Sequence, residues 1–427
     1  MSEPTMEKGF FDIHSETMPW EDRKELLEEK LRAIFSHAYE NSVAYREIYE
    51  KRGIFPSDIK GLDDLESLPL IRTGELVERQ HRKMPFGGFE TIRSENMKRI
   101  YVNSGPIWQP GEKDFQDTTW AEALCGTGLG PGDLVINTFN YHMWPVGFML
   151  DESLHMIGAT VIPTGTGNTL MQAKIMQALK INAFMGTPSF LMTLAQRTEA
   201  MGLDVREDLH LEKAVVSAEM LPESLRSRIE GIFEIEIRQI YGTALLGCIG
   251  YECRYKKGLH VPDNIIVEIV DPDTGGAVER GQAGEIVVTN FNRAFPMIRM
   301  ATGDLSVSST HQCPCGRTSP LLTRILGRID QATKVKGTFI HPWQVDEIIS
   351  HYPEIFKYQV VITRQDHKDL MAFVVELKEG IGKPDAVRRN LERDVREMLA
   401  VKGAVKIVKR GSIPDMHKKI EDRRSWD

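Results

Sequence analysis

The sequence is short of every feature that marks membrane-spanning, secreted or nucleic-acid-coating proteins. No apolar run comes near the ~18 residues that a membrane span needs. The opening stretch, MSEPTMEKGFFDIHSETMPW, is acidic and has no apolar core, so it does not read as a secretory signal. Cysteine is scarce, with five in 427 residues, an odd number. Scarce, odd cysteine without a signal points to the cytoplasm, a reducing compartment, and to no disulfides. Positive charge is not in excess: 53 Lys and Arg stand against 61 Asp and Glu, for a net charge of −8. That balance argues against nucleic acid as a partner and gives no hint of binding to an anionic membrane. Disorder is excluded as well, because 41% apolar and 27% charged residues are ordinary for a globular chain. The length suggests two or three domains and a large core that needs no staples.

Residues 20–55 carry apolar positions at helical spacing with Gly53 as a stop, which predicts one long helix or two short ones. From 133 to 242 short apolar runs alternate with helical patterns. DLVINTF, ATVIP, NAFMGTP, KAVVSAE and EIEIRQIYG read as strands, and PVGFMLDESLHMIG, LMQAKIMQALK, SFLMTLAQRTEAMG and PESLRSRIEGIF as helices. Such alternation predicts an α/β domain with a doubly wound parallel sheet. Ligands of such sheets sit at the carboxyl ends of the strands. The segments to watch are therefore 140–144, 163–169, 186–189, 217–221 and 241–247. From 258 to 310 the texture turns to β, with turn signals such as PDTGG between the runs. After residues 327–330 (GRID) comes a stretch that reads strand, helix, strand, strand, helix, strand, a compact α+β lid. The boundaries are accordingly a large domain over 1–328 and a small C-terminal domain over 329–427.

Four constellations could carry chemistry. Cys253, His260, Cys313 and Cys315 form a soft-ligand set of a size that suits one closed, tetrahedral structural zinc. The plainer alternative is two unrelated turns with incidental cysteines. Two Gly-rich loops, GTGLGPG (126–132) and PTGTGNT (163–169), match neither a Walker loop nor G-x-G-x-x-G. The second could turn backbone N–H groups toward an anion, or could simply cap a helix through Asn168 or Thr169. Asp304, in TGDLS, could accept hydrogen bonds from a ribose diol or belong to an ordinary turn. The basic C-terminus carries Lys418, Lys419, Arg423 and Arg424 and, taken alone, reads as a solvated tail.

Taken in order, these pieces resemble the adenylate-forming superfamily, and within it the phenylacetate–CoA ligase branch with its coenzyme F390 synthetase-like members. SAEM resembles the family's Gly-Ala-Glu segment, and YGTALLG its Tyr-Gly-x-Ser/Thr-Glu motif. ECRYKKGLH and CPCGR resemble marks of the branch. TGDLS, GRIDQATKVKGTFIHPWQVDE and SIPDMHKKI resemble the ribose motif, the hinge with its following loop, and the C-terminal lysine motif. The resemblance implies an ATP-dependent acyl– or aryl–CoA ligase that passes through an acyl-adenylate, with ATP, AMP and CoA as ligands. It implies that Tyr241 stacks on adenine with Gly242 and Thr243 beside it, that Ala218 and Glu219 line the purine, and that Asp304 holds the ribose hydroxyls. Arg328 would sit by ribose and phosphate, Asp330 at the hinge, and Lys336 and Gly337 on the loop bordering the pantetheine tunnel. Lys419 would enter from the lid to neutralise the transition state. Tyr141, His142 and Trp144 would face the acid, which such an aromatic wall suits to an aryl carboxylate. Dimers are common in proteins of this kind.

The resemblance has departures. The phosphate loop Ser-Ser-Gly-Thr-Thr-Gly-Lys-Pro is matched by NSGPIWQPGEKD (103–114), which keeps Ser104 and Gly105 but neither the paired threonines nor the lysine. The glutamate expected to hold Mg²⁺ falls on Leu245. Glu219 and Glu252 are the nearest acidic residues in sequence. These departures open a second reading, a catalytically silent or adenylyl-only homologue that binds AMP or an acyl ligand.

Overall fold

The computed structural model describes residues 7, 9–103, 105–113, 115–331, 333–336, 338–365, 368–381, 383–399, 401–414 and 418–424. Ser104 and Gly337, both expected at the site, lie outside the described residues. The chain divides into two units. One runs to Thr302 and includes Ser306–Ile325; the other takes Gly303–Leu305 and the chain from Leu326 onward.

In the first unit the N-terminal helical pattern is two helices, α1 (Trp20–Asn41) and α2 (Val43–Glu50). Ser42 separates them. It is extended, and its hydroxyl accepts the Tyr45 N–H, so it ends one helix and caps the next. Leu27, Leu31, Ile34, Phe35 and Ala38 form the buried stripe of α1. Leu31 is fully enclosed, so Leu31→Ala should cost about 2–5 kcal/mol.

A hairpin follows, β1 (Met97–Asn103) and β2 (Ile107–Glu112), then α3 (Thr118–Gly126), capped by the Asp117 carboxylate. The alternating region is β3 (Leu134–Asn137), α4 (Pro145–Met156), β4 (Thr160–Pro163), α5 (Thr169–Leu179), β5 (Ala183–Gly186), α6 (Pro188–Ala200), β6 (Lys213–Val216), α7 (Glu223–Phe233) and β7 (Glu236–Thr243). These five strands pair in parallel in the order β4-β3-β5-β6-β7.

Side-chain alternation shows why the sheet is wound on both faces. Val135, Met185 and Val215 join one core cluster with Leu150 and Leu154 of α4. Their neighbours Ile136, Phe184, Ala214 and Val216 join another with Ala173 of α5, Leu191 of α6 and Ile229 of α7. Neither face can be left to water, hence the unbroken apolar runs. Beyond β7 the sheet turns antiparallel through β8 (Gly247–Tyr251) and β9 (Leu259–His260). It continues with β10 (Ile265–Val270), β11 (Ala283–Asn290), β12 (Met300–Ser308) and β13 (Leu321–Arg328), the β region expected from sequence.

In the second unit β14 (Thr333–Val335) and β15 (Thr338–Ile340) make a hairpin where one strand was predicted. Then come α8 (Pro342–Ser350), β16 (Ile355–Gln365), β17 (Lys368–Leu377), α9 (Pro384–Leu399), β18 (Gly403–Val408) and β19 (Ile420–Asp422). The sheet order is β18-β17-β16-β19. Val387, Leu391, Val395 and Leu399 of α9 repeat every four residues and close the core over Phe373 and Val375.

Candidate active site and metal cluster

The parallel strands deliver their loops to one end of the sheet, and backbone strain collects there. Met143, Asn168 and Ala218, none of them glycine, hold positive φ of 59°, 48° and 68°. Left-handed non-glycine residues are uncommon and persist where surrounding structure fixes them. After β6 the exposed Glu219 accepts from the Ser189 N–H at 3.1 Å and its hydroxyl at 2.7 Å, tying the β6 loop to the start of α6. Tyr241 sits near the end of β7, half-buried. Gly242 follows because nothing larger fits: a Cβ there would lie 2.7 Å from the Trp120 ring and 2.6 Å from the Gly247 carbonyl. Thr243 accepts from the Leu246 N–H at 3.1 Å, which tightens the β7–β8 turn.

Tyr141 is hydrogen-bonded to its own scaffold. Its hydroxyl accepts from Asn137 at 2.8 Å and donates to Asp151 at 3.1 Å, and its ring meets Phe148 edge-on. Burial, then the Asp151 charge, raises its pKa, so it stays neutral. His142 and Trp144 are exposed.

The stretch matched to the phosphate loop is mostly strand. Asn103 pairs with Ile107, and Gly105 lies between the two strands. Gln80 clamps Trp108 on both backbone groups at 2.8 Å. Leu245 packs against an apolar core cluster and borders a cleft of about 580 Å³, which Tyr101, Gln109, Asp117, Met156 and Asn292 also line. Asp117 was missed from sequence; one oxygen caps α3 at Thr119, and burial raises its pKa. Glu252 is committed elsewhere, bonded to Arg226 at 2.6 Å and to the Gln239 N–H at 2.8 Å.

The second unit carries its own expected residues. Arg328 bridges two carboxylates, 3.6 Å from Asp304 and 3.1 Å from Asp330. Its guanidinium lies over Gly303, where a Cβ would come within 3.1 Å. Lys336, at φ 50°, makes the β14–β15 turn. Lys419 lies just before β19, and its ammonium reaches both oxygens of Asp346 on α8 at 2.8 Å.

Cys253, His260, Cys313 and Cys315 converge. Their ligand atoms all fall within 4.8 Å of one another, with Cys253 Sγ 3.5 Å from Cys313 Sγ and His260 Nε2 3.4 Å from Cys315 Sγ. Hydrogen bonding between Cys253 and Cys315 pulls the Cys315 thiol below its usual range and pushes the Cys253 thiol above it. Arg317, missed from sequence, follows the set closely; it is buried between the Phe10 and Tyr251 rings and paired with Glu16 at 2.8 Å. Cys125 and Cys248 are buried apart from this set, and burial pushes the Cys125 thiol up to about 12.

Residues 119–293 match the AMP-binding enzyme family, and 337–424 match the AMP-binding enzyme C-terminal domain. Phenylacetate-coenzyme A ligase of Thermus thermophilus is 32% identical over 378 residues, 85% of this chain and 83% of that protein. The chain belongs to the adenylate-forming family, in its phenylacetate–CoA ligase branch. Phenylacetate-coenzyme A ligase of Aromatoleum evansii is 28% identical across 93% of both chains. Among solved structures, an open conformation of 2-hydroxyisobutyryl-CoA ligase in complex with 2-HIB-AMP and CoA is similar, with a TM-score of 0.85 and 25% identity. That match covers 98% of this chain and 95% of the other.

Proposed function

We propose that this chain is an ATP-dependent acid–CoA ligase that works through an acyl-adenylate, and that its acid is aromatic. In the first half-reaction a carboxylate oxygen attacks the α-phosphorus of ATP; an acyl–O–P bond forms, the bond to the β-phosphate oxygen breaks, and pyrophosphate leaves. In the second the CoA sulfur attacks the acyl carbon, AMP departs, and the thiol proton is released. Tyr241 stacks on adenine, and Ala218 and Glu219 line its edge. Asp304 accepts from the ribose hydroxyls, with Arg328 beside it. Lys419 neutralises charge growing on the α-phosphoryl group. Asp330 is the pivot about which the lid carries Lys419 away and brings the Lys336 turn toward CoA.

One observation carries this reading. The purine-side residues stand at the carboxyl ends of adjacent strands, β6 and β7, in a chain that aligns over 85% of its length with a phenylacetate–CoA ligase. The silent-homologue reading is not favoured, because the likeness to CoA ligases spans both units. A panel of aryl and aliphatic acids with ATP and CoA, assayed for AMP, pyrophosphate and thioester, tests it. Turnover should be strongest with an aryl acid; no AMP from any acid would refute the ligase.

Cys253, His260, Cys313 and Cys315 fit one structural zinc by donor type and spacing, and it would brace the β region. Magnesium does not fit where the family motif expects it. Leu245 offers no oxygen ligand and Glu252 is occupied, so no step is routed through that ion.

A further inference from the structure

We infer that Asp346 is a positioning residue for Lys419: it docks the lysine on the lid whenever the ammonium is not at the reacting phosphate. The inference rests on Lys419 being the adenylation lysine, and every contact it uses lies within the second unit. The Lys419 ammonium donates to both oxygens of Asp346 at 2.8 Å. Tyr358, on β16, donates its hydroxyl to the same carboxylate. Burial, then Asp346, raises the Tyr358 pKa, so this hydroxyl remains a neutral donor. Asp346 itself is held in place, since Val345 and Ile348 on either side of it are buried in the lid core.

The backbone of Lys419 is pinned independently. Its carbonyl accepts from the Val360 N–H at 2.8 Å, Ile420 pairs with Val360, and Gln359 donates to the Lys418 carbonyl at 3.1 Å. With both ends defined, the side chain has one specified resting place, which it can leave and re-enter. In that place its charge is neutralised and two of its N–H donors are taken. A docked lysine cannot also neutralise a pentavalent phosphorus, so the pair must open for adenylation. Because the two side chains are 50% and 40% exposed, docking is worth a factor of about 1–5 in an equilibrium, small enough to open at every turnover.

The consequence follows from microscopic reversibility. Forward adenylation and attack of pyrophosphate on the acyl-adenylate share one transition state, so docking slows both by the same factor. The acyl-adenylate is thereby shielded from reversal while CoA attacks. An ordinary surface ion pair would leave both rates untouched.

The test uses the full-length chain with Asp346→Asn and Asp346→Glu. Amine acylation of Lys419 is followed by peptide mass spectrometry, acid-dependent ATP–pyrophosphate exchange reports adenylation in both directions, and thioester formation is started from supplied acyl-adenylate and CoA. Asp346→Asn should label Lys419 several-fold faster and raise exchange about two- to fivefold at saturating ATP. It should leave KM for ATP and the thioester step unchanged, and Asp346→Glu should restore wild-type values. In the wild-type chain labelling should rise with salt more at Lys419 than at exposed lysines that make no ion pair among the described residues, a readout that needs no variant to fold. Unchanged labelling would overturn the pair, and faster labelling with unchanged or slower exchange would overturn its role. If no acid supports exchange in the wild type, the ligase reading fails and this role fails with it, whereas labelling still decides whether Asp346 holds Lys419.

Discussion

Replacing Cys313 by serine should remove zinc and soften the β region; the geometry supports the site, and linkage sets the size of the effect. Zn–S bonds of about 2.3 Å and Zn–N bonds of about 2.0–2.1 Å at tetrahedral angles put two sulfurs about 3.8 Å apart, and sulfur and nitrogen about 3.5 Å apart. The observed separations of 3.5 Å (Cys253–Cys313) and 3.4 Å (Cys315–His260) fall within about 0.3 Å of those values. Cys253, His260 and Cys313 are 2%, 1% and 7% exposed and Cys315 is half-buried, so three of the four donors are enclosed, as in structural sites. An ion present at a thousandfold its dissociation constant stabilises the fold by about 4 kcal/mol. In a unit this large about 2 °C of melting temperature accompanies each kcal/mol, giving a fall of about 8 °C when the ion is lost. Serine is close to cysteine in shape, so little of that fall could be charged to a cavity. Elemental analysis of protein purified without added zinc should find about one ion per chain, and clearly less in Cys313→Ser. A chelator should lower the wild-type melting temperature by the same amount and leave the variant where it was. Metal-free wild-type protein, melting at the same temperature as Cys313→Ser, would refute the reasoning.

Other expectations follow from the site. Lys419→Ala should slow acyl-adenylate formation by about 10²–10³, the usual loss for one preorganised transition-state donor, and spare thioester formation from supplied acyl-adenylate; stopped-flow and quench assays of each half-reaction check this. Asp330→Pro should do the opposite, impairing mainly the second step, because it stiffens the pivot; equal damage to both steps would contradict it. Calorimetric titration should find AMP bound at least as tightly as ATP–Mg²⁺, and ATP–Mg²⁺ binding tenfold tighter, about 1.4 kcal/mol, would contradict that. Burial raises the Glu16 pKa from 4.5 to about 7, ahead of the opposing pull of Arg317. Its charged form is therefore disfavoured in the folded state, so its contribution to stability is largest when protonated and is lost as pH rises from about 4.5 through about 7. Glu16→Gln should flatten the pH dependence of melting across that window, and an unchanged slope in a thermal-shift series would argue against it.

How much of this was legible in the sequence depended on whether a segment buries one face, two faces or all of itself. The strand–helix alternation from Leu134 to Thr243 could be read because short runs buried on both faces stand out against amphipathic helices. Helix α3 could not, since every residue from Thr119 to Gly126 is buried and no polar face supplies a period. The β14–β15 hairpin was read as a single strand because its turn sequence, Val-Lys-Gly-Thr, places Lys336 in the left-handed region and lacks the Asn-Gly, Asp-Gly or Gly-Gly pair that usually announces a two-residue turn. The Cys253, His260, Cys313 and Cys315 cluster was legible from residue type, since Cys-Pro-Cys-Gly sets two sulfurs close together in a chain with few cysteines. Arg317 and Glu16 were not: their pairing crosses 301 positions and neither local sequence signals it. Asp346 and Lys419, 73 positions apart, were hidden for the same reason.

The departures in sequence become concrete at the β1–β2 hairpin. A loop that cradles phosphates offers unpaired backbone N–H groups to the anion. Here Asn103 pairs with Ile107, the flanking residues pair across the hairpin, and Gln80 occupies both backbone groups of Trp108. Proline at 106 and 110 removes two more donors. Leu245 turns into an apolar cluster instead of offering an oxygen. The residues proposed for the purine side are held in place: Tyr241 at the end of β7, Gly242 fitted against Trp120, and Glu219 tied to Ser189. In our reading, recognition has moved from the triphosphate toward the adenosine half of the nucleotide. An enzyme built that way would hold its acyl-adenylate well and its ATP less well. Protection of the intermediate then matters more than capture of the substrate, and that is the step at which a docked Lys419 acts.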